Sequence, residues 1–281
     1  MNIRNMERLR KKIRESSSFV DKINATVLEE QCAVALCDAF KIHLRDVYIE
    51  SLKLEISPLR YIKNRQSISF KEQIALAEAV VAIAGAGGLG GHVAHLLART
   101  GIGTLYIFDH DIFDESNLNR QLFATNQTIQ KSKADITREV INLINPAVEV
   151  HAISKAVSTE KKLLKKAIVI VDALDNTTDR LWLGQSAKNI GIPLVHGSIA
   201  GFEGRILTQY PGDDGVASIV GGEDKCPSAE TFLGTPAVTP AVIGALQAME
   251  VIKIILKKPG TFDNTMFYLN LEDGSAQHFH F

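Results

Sequence analysis

The chain has 281 residues, of which 46% are hydrophobic and 22% charged, with a formal net charge of −1. That length suits one large domain or a domain with an appendage, and the composition is that of an ordinary globular protein able to bury a sizeable core. The near balance of charge excludes a protein built to hold polyanions, because nucleic-acid affinity comes from surplus Lys and Arg; no nucleic-acid partner is expected. The opening segment, MNIRNMERLRKKIRESS, lacks the apolar centre of a signal peptide. No later run is both charge-free and long enough to cross a bilayer, so no membrane partner is expected. Three cysteines, Cys32, Cys37 and Cys226, make neither a disulfide framework nor a CxxC pair. A reducing cytoplasm fits, and a four-thiolate zinc site is excluded by count, so no structural zinc is expected.

Residues 1–58 read as a helical module. Arg4, Arg8, Lys11 and Lys12 with Glu7 and Glu15 make a solvated or docking helix face, and 27–40 carries apolar residues at helical spacing. Cys32 and Cys37 fall in that second helix as small core residues. Ser57-Pro58 marks a boundary, giving an N-terminal module over 1–58 and a second domain over 59–281. AVVAIAG (79–85) is then a short, continuously apolar, β-branched run ending in glycine, as expected of a buried parallel strand. A helix follows over 89–100, a strand over 104–109, a helix over 133–145 and a strand over 148–154. A strand over 167–173, a helix over 177–191 and a strand over 193–199 continue the alternation. Strands alternating with helices of this length predict a parallel sheet with right-handed crossovers. Beyond Gly204 the pattern changes to a strand (204–210), a Gly/Asp-rich loop (212–222), a long apolar helix (239–256) and two closing strands (266–271 and 277–281).

Gly85-Ala86-Gly87-Gly88-Leu89-Gly90 is a GxGxxG turn between the first of these strands and its helix. Gly85 permits the tight turn, Gly87 lets backbone approach a phosphate, and Gly90 lets helix pack on strand. The helix N-terminus offers free N–H groups to an anion. Asp109 ends the next strand, 24 residues after Gly85 (109 − 85). An acid roughly 20 residues on bonds ribose hydroxyls in such units. These features specify an adenosine-containing ligand and leave ATP and NAD open.

A cluster after the second strand separates the two. Asp109-His110-Asp111 is followed by Ser116-Asn117-Leu118-Asn119-Arg120-Gln121, then Lys133, and Asp175-Asn176 comes just past the fourth strand. Hydride transfer needs no such set of cations. Adenylation does: a carboxylate is already nucleophilic at pH 7, and the obstacle is repulsion as one anion attacks another. Asn117 as donor, Arg120 as bidentate cation and Lys133 as point charge suit a triphosphate, and Asp175 suits Mg²⁺. Taken singly, Arg120 and Lys133 are also ordinary surface charges, and Asp175-Asn176 an ordinary helix N-cap.

VVAIAGAGGLGG, TLYIFDHDIFDESNLNRQ, KSKAD, VDALDN and PLVHGSIAGFEGRI closely resemble the ThiF/MoeB/HesA family, relatives of the ubiquitin-activating enzymes, from about Arg60 to Lys257. The resemblance implies that Asp109 serves the ribose, that Asn117, Arg120 and Lys133 serve the phosphates of ATP with Asp111 beside them, and that Asp175 serves Mg²⁺ and catalysis. RYIKNRQ looks like a segment whose arginine reaches into a partner subunit's ATP site, so a homodimer is implied. Two extra residues leave either Arg60 or Arg65 for that role. The implied substrate is the C-terminal carboxylate of a small ubiquitin-like sulfur-carrier protein ending in Gly-Gly, in a thiamine or molybdopterin type of pathway.

The family's zinc-binding CxxC pairs are absent, and Cys226, near the expected position of a sulfur-transferring cysteine, lies out of register. Lys225 beside it would lower its pKa slightly. His196 ends a strand near the substrate crevice and could line the path of a carrier tail. His278 and His280 share one face of the last strand, with no third metal ligand in sight. The expectation is therefore a doubly wound, mostly parallel Rossmann-like α/β sheet with C-terminal antiparallel strands and a small N-terminal helical module, acting as an ATP- and Mg²⁺-dependent adenylyltransferase. Adenylation of a peptide or other small acid, an NAD-dependent oxidoreductase and a non-catalytic binding module are the rival readings.

Overall fold

A computed structural model describes residues 3–219 and 232–280. Helices dominate the first segment: α1 (Ile3–Glu15), α2 (Glu30–Phe40) and α3 (Leu44–Lys53). Leu9 and Ile13 of α1 are buried against Leu36, Val47 and Tyr48, while the basic residues of α1 stay outside. Cys32 and Cys37 pack on this cluster, and burial pushes the Cys37 thiol pKa up. The sequence pattern concealed three short strands here, β1 (Ser18–Val20), β2 (Ala25–Leu28) and β3 (Ser57–Pro58). Val27 and Leu28, taken as the start of a helix, instead pair with Ser57 and Pro58. Both residues are buried, and the β-branched Val27 fits a strand better than a first helical turn.

The boundary at Ser57-Pro58 is thus a strand pairing rather than a free linker. Several contacts tie the two parts together. Arg45 Nη1 donates to Gly103 O at 3.1 Å and to Thr104 Oγ1 at 2.8 Å. Across the same boundary, Glu30 Oε2 accepts from Arg60 Nε at 3.0 Å. A further helix, α4 (Phe70–Glu78), begins in a capping box between Ser69 and Glu72.

The main sheet runs β11-β10-β9-β8-β7-β4-β5-β6. Its parallel part comprises β4 (Val80–Ala84), β5 (Thr104–Phe108), β6 (Glu149–Ile153), β7 (Val169–Asp172) and β8 (Leu194–Ala200). The remaining strands, β9 (Glu203–Gln209), β10 (Thr265–Asn270) and β11 (Ala276–His280), add on antiparallel. The crossover helices are α5 (Gly88–Thr100), α6 (Lys133–Ile144), the short α7 (Lys161–Leu164) and α8 (Thr177–Ile190); α9 (Gly215–Ile219) and α10 (Val238–Leu256) follow β9. Gly101 and Gly191 close α5 and α8 in the left-handed conformation that a side chain would strain.

The sheet is covered on both faces. On one, α5 and α10 pack over Val81, Ile83, Val171 and Val195; on the other, Leu183 and Ala187 of α8 cover Ala82, Ile170 and Leu194. By length and apolarity α10 could cross a bilayer. Here it is a core helix: Ile243 and Val251 are fully buried, and the buried Glu250 accepts from Thr208 Oγ1 and Phe262 N, each at 2.8 Å. Strand order reverses between β4 and β7, so a crevice opens at the C-terminal ends of β4, β5 and β7. In open α/β sheets that crevice is where ligands bind.

Candidate active site

The glycine turn leaves β4 at Gly85, whose N–H donates to Phe108 O at 2.8 Å. Gly85 has φ +93°, and a β-carbon there would lie 2.5 Å from Ala173 O. At Gly90 a β-carbon would lie 1.8 Å from Gly85 O. The first glycine therefore makes the turn and the third seats α5 on it, as their spacing implied. Gly87 is different: the nearest atom to a β-carbon is the flexible Gln121 amide at 3.4 Å, and its free side faces the crevice.

Asp109, 9% exposed, closes β5. Its Oδ2 accepts from Ala86 N at 2.7 Å and its Oδ1 from Asp111 N at 2.9 Å. Each carboxylate oxygen keeps a second lone pair, so Asp109 can brace the turn and still accept from a ribose hydroxyl. Burial raises its pKa above the usual carboxylate value, opposed by the two backbone donors and by Lys133.

Around this turn the crevice is lined by Gly85, Gly87, Asp109, Asp111, Arg120, Lys133 and Asp175. Lys133 opens α6 and is only 7% exposed, with Nζ 3.0 Å from Asp111 Oδ2. Arg120 is held by Ser116 O at 2.8 Å and Asn119 Oδ1 at 3.0 Å. Asn176, not Asp175, caps α8: its Oδ1 accepts Asp179 N at 2.8 Å. The exposed Asp175 carboxylate is left for the crevice. The two cations and the carboxylate line the same crevice as the glycine turn, together with the apolar Phe108, Ala156 and Val157.

Three residues expected to bind the nucleotide do not line the crevice. Gly90 acts through packing, as described. Asn117 is buried beneath it; its Oδ1 accepts Asp114 N at 3.2 Å, completing a capping box on a helical turn, so its side chain shapes the loop that aims Arg120. Arg65 lies elsewhere, with its guanidinium 3.6 Å from the Phe70 ring centroid. The two arginines left open by the sequence differ in their contacts within the chain. Arg60 is engaged within the chain, with Glu30 through Nε and Nη2 and with Ile144 O at 2.5 Å. Arg65 has no such ion pair among the described residues.

His196 does not line the crevice: it is 1% exposed, with Nδ1 2.7 Å from Asp172 Oδ2. His278 packs on Phe262 and Phe267, and His280 Nδ1 lies 3.0 Å from Thr265 Oγ1. Cys226 and its neighbourhood fall outside the described residues.

Sequence reasoning gave Gln121 no role of its own and passed over Lys155, Asp179 and Arg180, all of them in the wall. Gln121 is 7% exposed, and its Oε1 has no donor among the described residues. Arg180 Nε donates to Leu174 O at 2.8 Å. A signal for Arg180 existed, since Asn176 caps α8 and a residue four positions on falls one turn along the same face. Among the described residues no group of three or more His, Cys, Asp and Glu side chains is arranged to hold a metal. One carboxylate at the crevice suits Mg²⁺ delivered with a nucleotide, because that ion usually takes one or two carboxylates beside phosphate oxygens and water.

Residues 61–281 match the ThiF family model. The chain is 32% identical over 265 residues to the adenylyltransferase and sulfurtransferase MOCS3 of Arabidopsis thaliana, covering 90% of this chain and 56% of that protein. It is 31% identical over 200 residues to the SAMP-activating enzyme E1 of Haloferax volcanii, covering 69% of this chain and 73% of that one. A probable molybdopterin-synthase adenylyltransferase of Porphyra purpurea is 33% identical over 199 residues, with 67% and 51% covered. The chain thus spans little more than half the length of several curated relatives it matches. Among solved structures, E. coli MccB with ATP superposes with a TM-score of 0.71 at 20% identity, over 88% of this chain and 82% of that one, a likeness of fold. With the family model spanning both the crevice and the antiparallel strands beyond it, the chain belongs to the ThiF family.

Proposed function

We propose that this protein uses ATP and Mg²⁺ to adenylate the C-terminal carboxylate of a small ubiquitin-like sulfur-carrier protein ending in Gly-Gly, releasing pyrophosphate. The observation that carries this reading is the meeting of Arg120, Lys133 and Asp175 at the glycine turn, on one crevice with Asp109. The turn's N–H groups and the N-terminus of α5 suit phosphate oxygens, and Asp109 suits the ribose. Phe108, Ala156 and Val157 offer an apolar seat for the purine. A carboxylate oxygen of the substrate bonds to the α-phosphorus while the bond to the bridging oxygen of the β-phosphate breaks. Pyrophosphate leaves with that electron pair. No proton moves, so no general base is required, consistent with the burial of His196 away from the crevice.

Lys133 and Arg120 would stabilise charge that builds on the phosphates, where preorganised cations matter most. In the free protein Lys133 is held by Asp111, so the incoming phosphates would compete with that carboxylate for it. Asp175 would hold Mg²⁺, which screens the phosphate charge. The names of the relatives, SAMP-activating enzyme E1 and molybdopterin-synthase adenylyltransferase, support a protein acceptor. A homodimer in which Arg65 completes the neighbouring crevice belongs to the same proposal.

The test is ATP–pyrophosphate exchange with labelled pyrophosphate. Exchange that requires both Mg²⁺ and a Gly-Gly-ended carrier is expected. Asp175→Ala should lower it by at least about 10²-fold, the order lost with one transition-state electrostatic group. Exchange with a short peptide alone would replace the carrier by a peptide substrate. A near-normal rate for Asp175→Ala would overturn the metal assignment.

A further inference from the structure

Directly beneath the Asp175 loop lies a buried polar pair that the reaction does not use. Asp172 is fully buried at the C-terminal end of β7, and His196 is its register partner on β8, so the two side chains share one face of the sheet. His196 Nδ1 lies 2.7 Å from Asp172 Oδ2. Facing a carboxylate, Nδ1 carries the hydrogen and donates it. The other oxygen, Oδ1, accepts Leu174 N at 3.1 Å. Both carboxylate oxygens are therefore committed, and the carboxylate cannot turn without breaking one of the bonds.

The strand end is also gripped from the opposite face. Gln247 on α10 donates through Nε2 to Asp172 O at 2.9 Å and to Val195 O at 3.3 Å. It fits only because residue 197 is glycine, where a β-carbon would lie 2.4 Å from its Cδ. The same amide leaves Oε1 without a donor among the described residues. An unpaired buried acceptor is costly, and a buried polar pair must recover the hydration it gives up. Such an arrangement adds little stability for its cost, yet it fixes geometry in both directions across the sheet.

What it fixes is the chain between β7 and α8. Ala173 N donates to Ala84 O at 2.9 Å, and Ala173 O lies against the Gly85 turn. Leu174 N is held by Asp172 and Leu174 O by Arg180. Asp175 is the next residue. We propose that the Asp172–His196 pair is a positioning device: by pinning the Leu174 amide, it holds the Asp175 carboxylate at the crevice wall. Asp172 and His196 are positioning residues, since neither reaches the crevice. The inference rests on the proposed role of Asp175 as the Mg²⁺ ligand, and partners one shell out from a metal ligand typically change affinity or activity about 10–100-fold.

The experiment compares His196→Asn with His196→Gln in the full chain. The Asn amide nitrogen is bonded to Cγ, as Nδ1 is, so it can donate to Asp172; the Gln nitrogen is one atom further out and cannot take that place. Both are small, neutral and polar, which keeps a general loss of folding from deciding the result. Three quantities are measured: hydrogen exchange of the Leu174 amide without nucleotide, the Mg²⁺ concentration for half-maximal ATP–pyrophosphate exchange, and the melting temperature. His196→Asn should match the wild type in the first two. His196→Gln should exchange the Leu174 amide at least about tenfold faster and need about 10–100-fold more Mg²⁺. Equal Leu174 protection in the two variants, whatever their melting temperatures, would overturn the proposal. If the wild type shows no Mg²⁺-dependent exchange at all, the proposed function fails, while the Leu174 measurement still decides whether the pair pins the loop.

Discussion

Adding one methyl group at Gly90 tests how closely α5 is seated on the glycine turn, and Gly91 beside it supplies the control. At Gly90 the new carbon would lie 1.8 Å from Gly85 O, 2.8 Å from Gly85 C and 3.3 Å from Ala173 Cβ. Carbon atoms pack at about 3.5–4.0 Å, so α5 would have to move by on the order of 1–2 Å. The obstacle is backbone, which has no rotamer to change. The cost therefore sits at the upper end of the roughly 1–3 kcal/mol typical of overpacking. Alanine is about 1 kcal/mol better than glycine inside a helix, which leaves a net loss of about 2 kcal/mol. At about 2–4 °C per kcal/mol, the melting temperature should fall by about 4–8 °C.

At Gly91 the nearest neighbour would be Ala86 O at 3.7 Å, an ordinary contact. Gly91→Ala should therefore stabilise by about 0.4–1 kcal/mol and leave nucleotide binding near the wild-type value. Gly90→Ala shifts the N–H groups that would face the phosphates. Losing one charge-assisted hydrogen bond, about 1.5–3 kcal/mol, weakens ATP binding by about 10–100-fold. Calorimetric melting and titration with MgATP check both halves. Two variants that shift in the same direction, or Gly90→Ala binding ATP normally, would refute the reasoning.

Three further outcomes follow from the site. Because burial raises the Asp109 pKa, the group ionises at a higher pH in the folded state than an ordinary Asp does. The sign is that folding disfavours its ionised form, so acidification through the raised pKa relieves a destabilisation, while ribose binding loses its acceptor. ATP affinity of the wild type relative to Asp109→Asn should decline as pH falls, beginning above the ordinary Asp value of about 3.9; a constant ratio across that range counts against the ribose assignment. If Arg65 completes a neighbour's crevice, Arg65→Ala and Asp175→Ala proteins are each inactive, yet an equal mixture regains about a quarter of the wild-type sites through heterodimers. No recovery after subunit exchange would place Arg65 outside the site. Cys226→Ala should leave ATP–pyrophosphate exchange intact, and a collapse of exchange would give that thiol a part in adenylation.

The sequence alone determined the parallel sheet and the nucleotide turn, for a local reason. Continuous apolar β-branched runs such as Val80–Ala84 specify buried strands, and glycine spacing specifies a turn whose tolerance for side chains is set within a few residues. That Arg120, Lys133 and Asp175 would meet at one crevice was legible because residue type and strand-end position together imply it. The three strands of the N-terminal module were not legible, since two to four residues carry too little periodicity and their pairing depends on a partner about thirty residues away. Tertiary structure also decided between residues of identical type. Arg60 bonds Glu30 and Ile144 O whereas Arg65 stacks on Phe70, and Asn117 turns inward to cap its own loop. His196, read from the sequence as a residue of the crevice, lies within β8 and faces Asp172 instead, because cross-strand register and the alternation of faces are properties of the assembled sheet.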